Sequence, residues 1–249
     1  MSRLSERSAF SGRISGNFLI GRPTVNFDEL FGLIEALRTE AIGEPKWDGR
    51  RRVYEYEEHT TRVVAVLKLI RAAHGLRASE VLRAEGHFFD LGMISRGVFD
   101  AVEEIYFLLE KFPESSAHVD QFVKGFFEST IDGHLSAPTK DVVKGKIRAA
   151  RVRYLADTHD QKTQDMLERI FKTYSGYVHA KYSHIMEVFG GRQSFNLCGV
   201  PSAEQKAMRA EHIKLMASSV AHAAHFVAYR LGLTVHQNAI FAYTQSSEL

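Results

Sequence analysis

Lys172, Ser175 and His179 stand at i, i+3 and i+7, with the side-chain types that proton transfer beside a held anion requires. On a helix those positions share one edge. An imidazole there can take or give a proton near neutral pH, and the ammonium can stabilise developing negative charge. The plainer alternative is a histidine that hydrogen-bonds at a helix interface. Tyr177, His184 and Glu187 occupy the opposite edge. His179 and His184 then diverge by about 140°, so they cannot grip one metal from a straight helix. Gly176, a poor helix former, could bend that helix.

Two further constellations could handle charge. Arg96, Asp100 and Glu103 form a polar stripe at i, i+4 and i+7 on an otherwise apolar helix. Such a stripe is either a surface row of ion pairs or an arginine held by carboxylates and turned into a cleft. The stretch TKDVVKGKIRAARVRYLAD, residues 139–157, aligns Lys140, Lys144, Arg148 and Arg151, with Lys146 and Arg153 on another stripe. A solvated cationic face is the default for this pattern, and phosphate binding is its functional alternative. Metal-ligating pairs are sparse. His222 and His225 lie three apart without a nearby acid, and Glu55 and His59 lie four apart where helix-dipole complementarity already accounts for the acids. Cys198 is the single cysteine, which excludes an internal disulfide and cysteine-based zinc chelation within one chain. No metal or cofactor is expected. P-loop, GxGxxG, HExxH and GxSxG motifs are missing from the sequence.

The elements that must position these residues read as helices. Apolar residues recur at helical spacing, and the pattern predicts an all-α bundle of about seven helices with one short irregular or β-ribbon excursion near 190–201. The first helix is capped by Asn26 or Asp28 and stopped by Gly43 and Pro45. A second is expected from about Tyr54 to His74, with Gly75 as the break, and a third from Ser79 to about Phe112. GEPKWDGRRR, between the first two, reads as a solvated loop. Residues 168–189 read as one continuous buried helix, with Phe171, Tyr174, Val178, Tyr182, Ile185 and Phe189 on its core face. The last long helix, about 203–231, carries apolar residues on two faces. That places His212 and His222 toward the interior and leaves a strip with Lys214, Ala221 and His225 for water.

The chain has 249 residues, 45% hydrophobic and 25% charged, which suits a packed globular domain. A net charge of +2 gives no global field for nucleic acid, so any such binding must be local. Residues 1–24 read as a flexible basic tail and 25–249 as a single helical domain. No run reaches the roughly 20 apolar residues of a membrane span, and a reducing cytoplasm is the simplest setting.

Two segments, GMISRGVFDAVEEIYFLL at 92–109 and YSGYVHAKYSHIMEVFGG at 174–191, resemble an uncharacterised all-helical bacterial family that is distantly similar to HEPN-type bundles. Many HEPN bundles act as metal-independent RNA endonucleases or in defence and toxin systems. The resemblance implies Arg96 and His179 as the polar pair of interest. In the HEPN signature the arginine and histidine share a helix; here the cation that precedes His179 on its helix is Lys172. The expected function is therefore RNA binding or cleavage, with Arg96 and Lys172 on phosphate, His179 moving the proton and Lys140, Lys144, Arg148 and Arg151 holding the backbone. A non-enzymatic interaction bundle, including a homodimer, and a histidine-based metal-binding bundle are the alternatives.

Overall fold

Caps and glycines set the helix boundaries in the computed structural model, which describes residues 25–50, 52–128, 142, 144–158, 161–189 and 203–247. The basic tail, Lys140, Cys198 and the excursion expected near 190–201 lie outside these residues. The protein is all-α, with nine helices and one small hairpin among the described residues. Helix α1 (Phe27–Ile42) starts at Asn26, whose side chain accepts from Glu29 N at 3.2 Å, and stops at Gly43 with φ 64°. Strands β1 (Lys46–Asp48) and β2 (Val53–Glu55) then pair antiparallel, with Trp47 opposite Tyr54 and their rings 5.0 Å apart edge to face. The stretch expected as a plain loop is thus a hairpin, held by a cross-strand aromatic pair.

Helix α2 (Thr61–Glu85) is capped by Thr60 and ends at Gly86, which is left-handed at φ 82°. One residue later α3 (Phe88–Leu109) begins, so the two helices run antiparallel. The break expected at Gly75 is therefore displaced by eleven residues. Gly75 lies inside α2, where a Cβ would sit 2.6 Å from Val98 Cγ2 of α3. It is a point of close helix approach rather than a helix stop.

Helix α3 is central, packed by α2 and also by α5 (Lys144–Thr158), α6 (Gln161–Val178) and α8 (Ala203–Arg230). Helix α4 (Ala117–Phe127), capped by Ser116, leans on α2, and α9 (Thr234–Ser246) closes over α8 and α1. Leu69, Leu76, Leu91, Ile105, Met216 and Val220 lie in one continuous core.

The stretch expected as one helix over 168–189 is two. Helix α6 ends at Val178, and α7 (Tyr182–Met186) follows after a turn. Ala180 takes φ 46°, its N–H donates to Tyr177 O at 3.0 Å, and Lys181 N–H donates to Gly176 O at 3.0 Å. This is a Schellman-type stop with alanine where glycine is usual. Because the chain turns, only the first half of the expected apolar face is internal. Tyr174 is buried, whereas Val178, Tyr182, Ile185 and Phe189 are exposed.

Candidate functional site

The polar stripe of α3 is not a surface row. Arg96 is only 7% exposed and Glu103 is buried, because α5 and α6 pack over the stripe. Arg96 Nη2 pairs with Asp100 Oδ1 at 2.5 Å. The Arg96 guanidinium lies 3.5 Å from the centre of the Phe171 ring, and that of Arg148 lies 3.3 Å from it. Two guanidinium carbons cannot share one face at those distances, so Phe171 of α6 is sandwiched between an arginine of α3 and one of α5. Arg148 Nε is 3.9 Å from Glu103 Oε2, and Arg151 Nη1 is 3.6 Å from Glu103 Oε1.

The electrostatics of this junction are uneven. Burial pushes the Asp100 and Glu103 carboxyls above their ordinary range, against the pull of the surrounding cations. Burial likewise pulls Arg96 and Arg151 below the usual guanidinium value. Lys144 also acts on Asp100, while nearby Lys68 is already taken by Glu104 at 2.6 Å. Among the described residues, four cations (Arg96, Lys144, Arg148, Arg151) thus share two carboxylates (Asp100, Glu103). Arg96 Nη1, Arg148 Nε and Arg151 Nε are buried without a hydrogen-bond partner. Buried polar groups left unpaired are uncommon and call for a water or an ion.

The residues expected as one catalytic set are not joined. Lys172, next to Phe171, is exposed and pairs with Glu168 at 2.9 Å. His179 is exposed just past the last residue of α6. No hydrogen bond or ion pair among the described residues links Arg96, Lys172 and His179. Phe171, against which Arg96 lies, and His179 are separated by roughly 12 Å of helix rise. The basic stripe of α5 also departs from a solvated face. Lys144 is exposed, Arg148 is half-buried against Phe171, and Arg151 is buried against Glu103. On the second stripe, Arg153 grips Glu110 with Nε and Nη2 at 2.5 and 2.7 Å, and Lys146 Nζ sits 2.6 Å from His118 Nε2. Those two contacts border a cavity of about 340 Å³ between α3, α4 and α5.

A third buried arginine, away from this junction, is not legible in the sequence as a site residue. Arg209 of α8 is 1% exposed and gives Nη2 to both the Tyr177 hydroxyl and Glu187. The Tyr177 hydroxyl donates to Glu187 Oε2 at 2.7 Å, and Arg209 Nη1 lies 3.4 Å from His212 Nδ1. The Arg209 guanidinium is 4.9 Å from the Tyr177 ring centre, and His184 meets that ring edge-on at 4.3 Å. A Cβ at Gly92 would run into the Tyr177 ring, and one at Gly176 into His184. Burial and the bond to Glu187 both raise the Tyr177 pKa, so the phenol stays protonated. One signal in the sequence marked Arg209: it falls one turn before Ile213, in register with the apolar arc Ile213–Met216–Val220.

The histidine pairs do not gather acids. His222 is exposed rather than internal, and its Nδ1 lies 2.8 Å from Ser218 O. His225 lies near Phe241, where burial lowers its pKa, and Ala221, expected on the wet strip, is fully buried. His59 stacks on Phe127 at 4.0 Å, at the wall of a cavity of about 650 Å³. Among the described residues, no group of three or more His, Cys, Asp or Glu side chains is placed to hold a metal ion. No described helix is long and apolar enough to cross a membrane.

Comparison with protein-family models, with curated proteins and with solved structures finds no match to this chain.

Proposed function

We propose that this chain is an RNA-binding helical bundle that holds phosphate at the junction of α3, α5 and α6. One observation carries this reading: four cations crowd around two carboxylates, and three buried guanidinium N–H groups lack an acceptor. Like charges gathered in a low-dielectric site repel strongly unless an anion joins them. Phosphate oxygens suit guanidinium groups in both charge and geometry. Exposed Lys144 and Lys172 flank the junction on α5 and α6, and can follow a strand that leaves it. The resemblance of 92–109 and 174–191 to an all-helical family distantly similar to HEPN-type bundles, read from the sequence alone, points the same way. Binding, not cleavage, is the activity proposed, because His179 stands a long reach from the arginine cluster.

Fluorescence anisotropy with a labelled single-stranded RNA tests this. The affinity should fall as salt rises, with a log–log slope of roughly −2 for three phosphate contacts on a single strand. Arg148→Gln should weaken binding by about tenfold or more, in EDTA as in magnesium. Salt-independent or undetectable binding by the folded protein would remove RNA as the ligand and leave an interaction bundle.

A further inference from the structure

We infer that the α3–α5–α6 junction is built for a terminal phosphate, a phosphomonoester at an RNA end, rather than for the internal diester; this rests on the RNA-binding reading above. Two independent observations carry it.

The first is charge. Arg96, Lys144, Arg148 and Arg151 set against Asp100 and Glu103 leave two positive charges unmatched among the described residues. An internal diester brings one negative charge and leaves one of the four cations unmatched. A monoester near pH 7 carries up to two, since its second pKa is about 6. It also presents three free oxygens rather than two, one more acceptor for the N–H groups of Arg96 Nη1 and Arg151 Nε that are buried without a partner.

The second is shape. The side chains of Arg96, Glu103 and Arg151 are each less than a tenth exposed, so the inner end of the junction is shut. Arg148 at 38% and Asp100 at 29% mark its open edge, with Lys144 beside them. A diester within a strand must carry two flanking nucleotides along the open edge, whereas a monoester carries only one. A site closed on one side and open on the other suits a chain that stops there. In this arrangement Arg148 swings from the Phe171 ring onto the incoming phosphate, Arg96 remains fixed by Asp100, and Lys144 meets the next phosphate outward.

The experiment uses the full chain and one RNA sequence in four forms: 5′-phosphoryl, 3′-phosphoryl, and the hydroxyl-ended twin of each. The expected result is at least tenfold tighter binding of a phosphoryl-ended RNA than of its twin. That preference should shrink to less than twofold in Arg148→Gln and in Lys144→Gln, with folding checked by circular dichroism. Inorganic phosphate at millimolar concentration should compete with the phosphoryl-ended RNA, while chloride at equal ionic strength does not. Salt-dependent binding with no end preference overturns the terminal-phosphate inference and leaves RNA binding standing. No binding of any of the four RNAs overturns both.

Discussion

Among the described residues, buried arginines lie against aromatic rings in two places, and the two are built differently. At the junction of α6, α7 and α8, Arg209 meets one carboxylate, one phenol and one imidazole, and the Tyr177 hydroxyl is both donor and acceptor. One positive charge faces one negative charge. At the junction of α3, α5 and α6, Arg96 and Arg148 flank Phe171 and share their acids with two more cations. The first arrangement balances its own charge and works as a latch, although Arg209 Nε there is also buried without a partner. The second carries more cations than carboxylates among the described residues, and the proposed phosphate would balance it. A buried charge therefore says little about function until its partners are counted, since a matched pair holds structure and an unmatched cluster attracts a ligand.

The largest test of this contrast removes each arginine in turn. Arg209→Ala leaves Glu187 and the Tyr177 hydroxyl without their buried cation, and should cost about 3–5 kcal/mol in urea denaturation. Arg148→Gln should change stability by less than about 1 kcal/mol, because it removes one of four like charges. Equal losses in the two variants would erase the distinction. Next in size is Gly176→Ala, whose methyl group meets His184 and must push α7 off the latch, at about 1–3 kcal/mol. Hydrogen exchange should localise that loss to residues 177–187; a global loss of protection would show that α7 is not a separate unit.

Helical spacing made the class of the fold readable, and the caps at Asn26, Thr60 and Ser116 obey side-chain rules visible in sequence. Glycine was the ambiguous letter. Gly75 and Gly86 look alike in the chain, yet one spaces two helices and the other ends one, and only the facing Val98 decides between them. The end of α6 was hidden because alanine fills the left-handed position. Within the sites, the sequence grouped Arg96 with Asp100 and Glu103, and Tyr177 with His184 and Glu187. Both groups do meet, the second through a chain reversal rather than along one helix. That the α5 stripe turns inward was not legible, since a row of Lys and Arg reads as solvated until its acids on another helix are placed. Phe171 reads in the sequence only as core, because a ring between two guanidiniums leaves no mark in the spacing.

The reversal at Ala180 bears on the latch directly. An alanine at φ 46° carries a steric cost of roughly 1 kcal/mol that glycine avoids. Ala180→Gly should therefore stabilise the protein by about 0.5–1 kcal/mol without altering RNA affinity, as read by thermal melting and anisotropy. A lower melting temperature would mean that the side chain at 180 contributes packing which outweighs its strain.

The smallest expected effect separates matched from unmatched charge by pH alone. Glu110, gripped by Arg153, has its pKa lowered chiefly by that hydrogen bond. Its contribution is present above the unfolded carboxylate value of about 4.3 and is lost as pH falls through the lower folded value. Glu103 has its pKa raised by burial in spite of three arginines. Its contribution has the opposite sign, present below the unfolded value and lost as pH rises through the folded one. Glu110→Gln should thus be less stable than the parent at pH 7.5, with the deficit shrinking on acidification. Glu103→Gln strips buried Arg151 of its carboxylate and should also be less stable than the parent at pH 7.5, but its deficit should grow rather than shrink on acidification. Saturating phosphoryl-ended RNA should leave the Glu110 comparison unchanged and narrow the Glu103 deficit, since the anion takes the carboxylate's place beside Arg148 and Arg151; an unchanged Glu103 deficit would place the phosphate elsewhere.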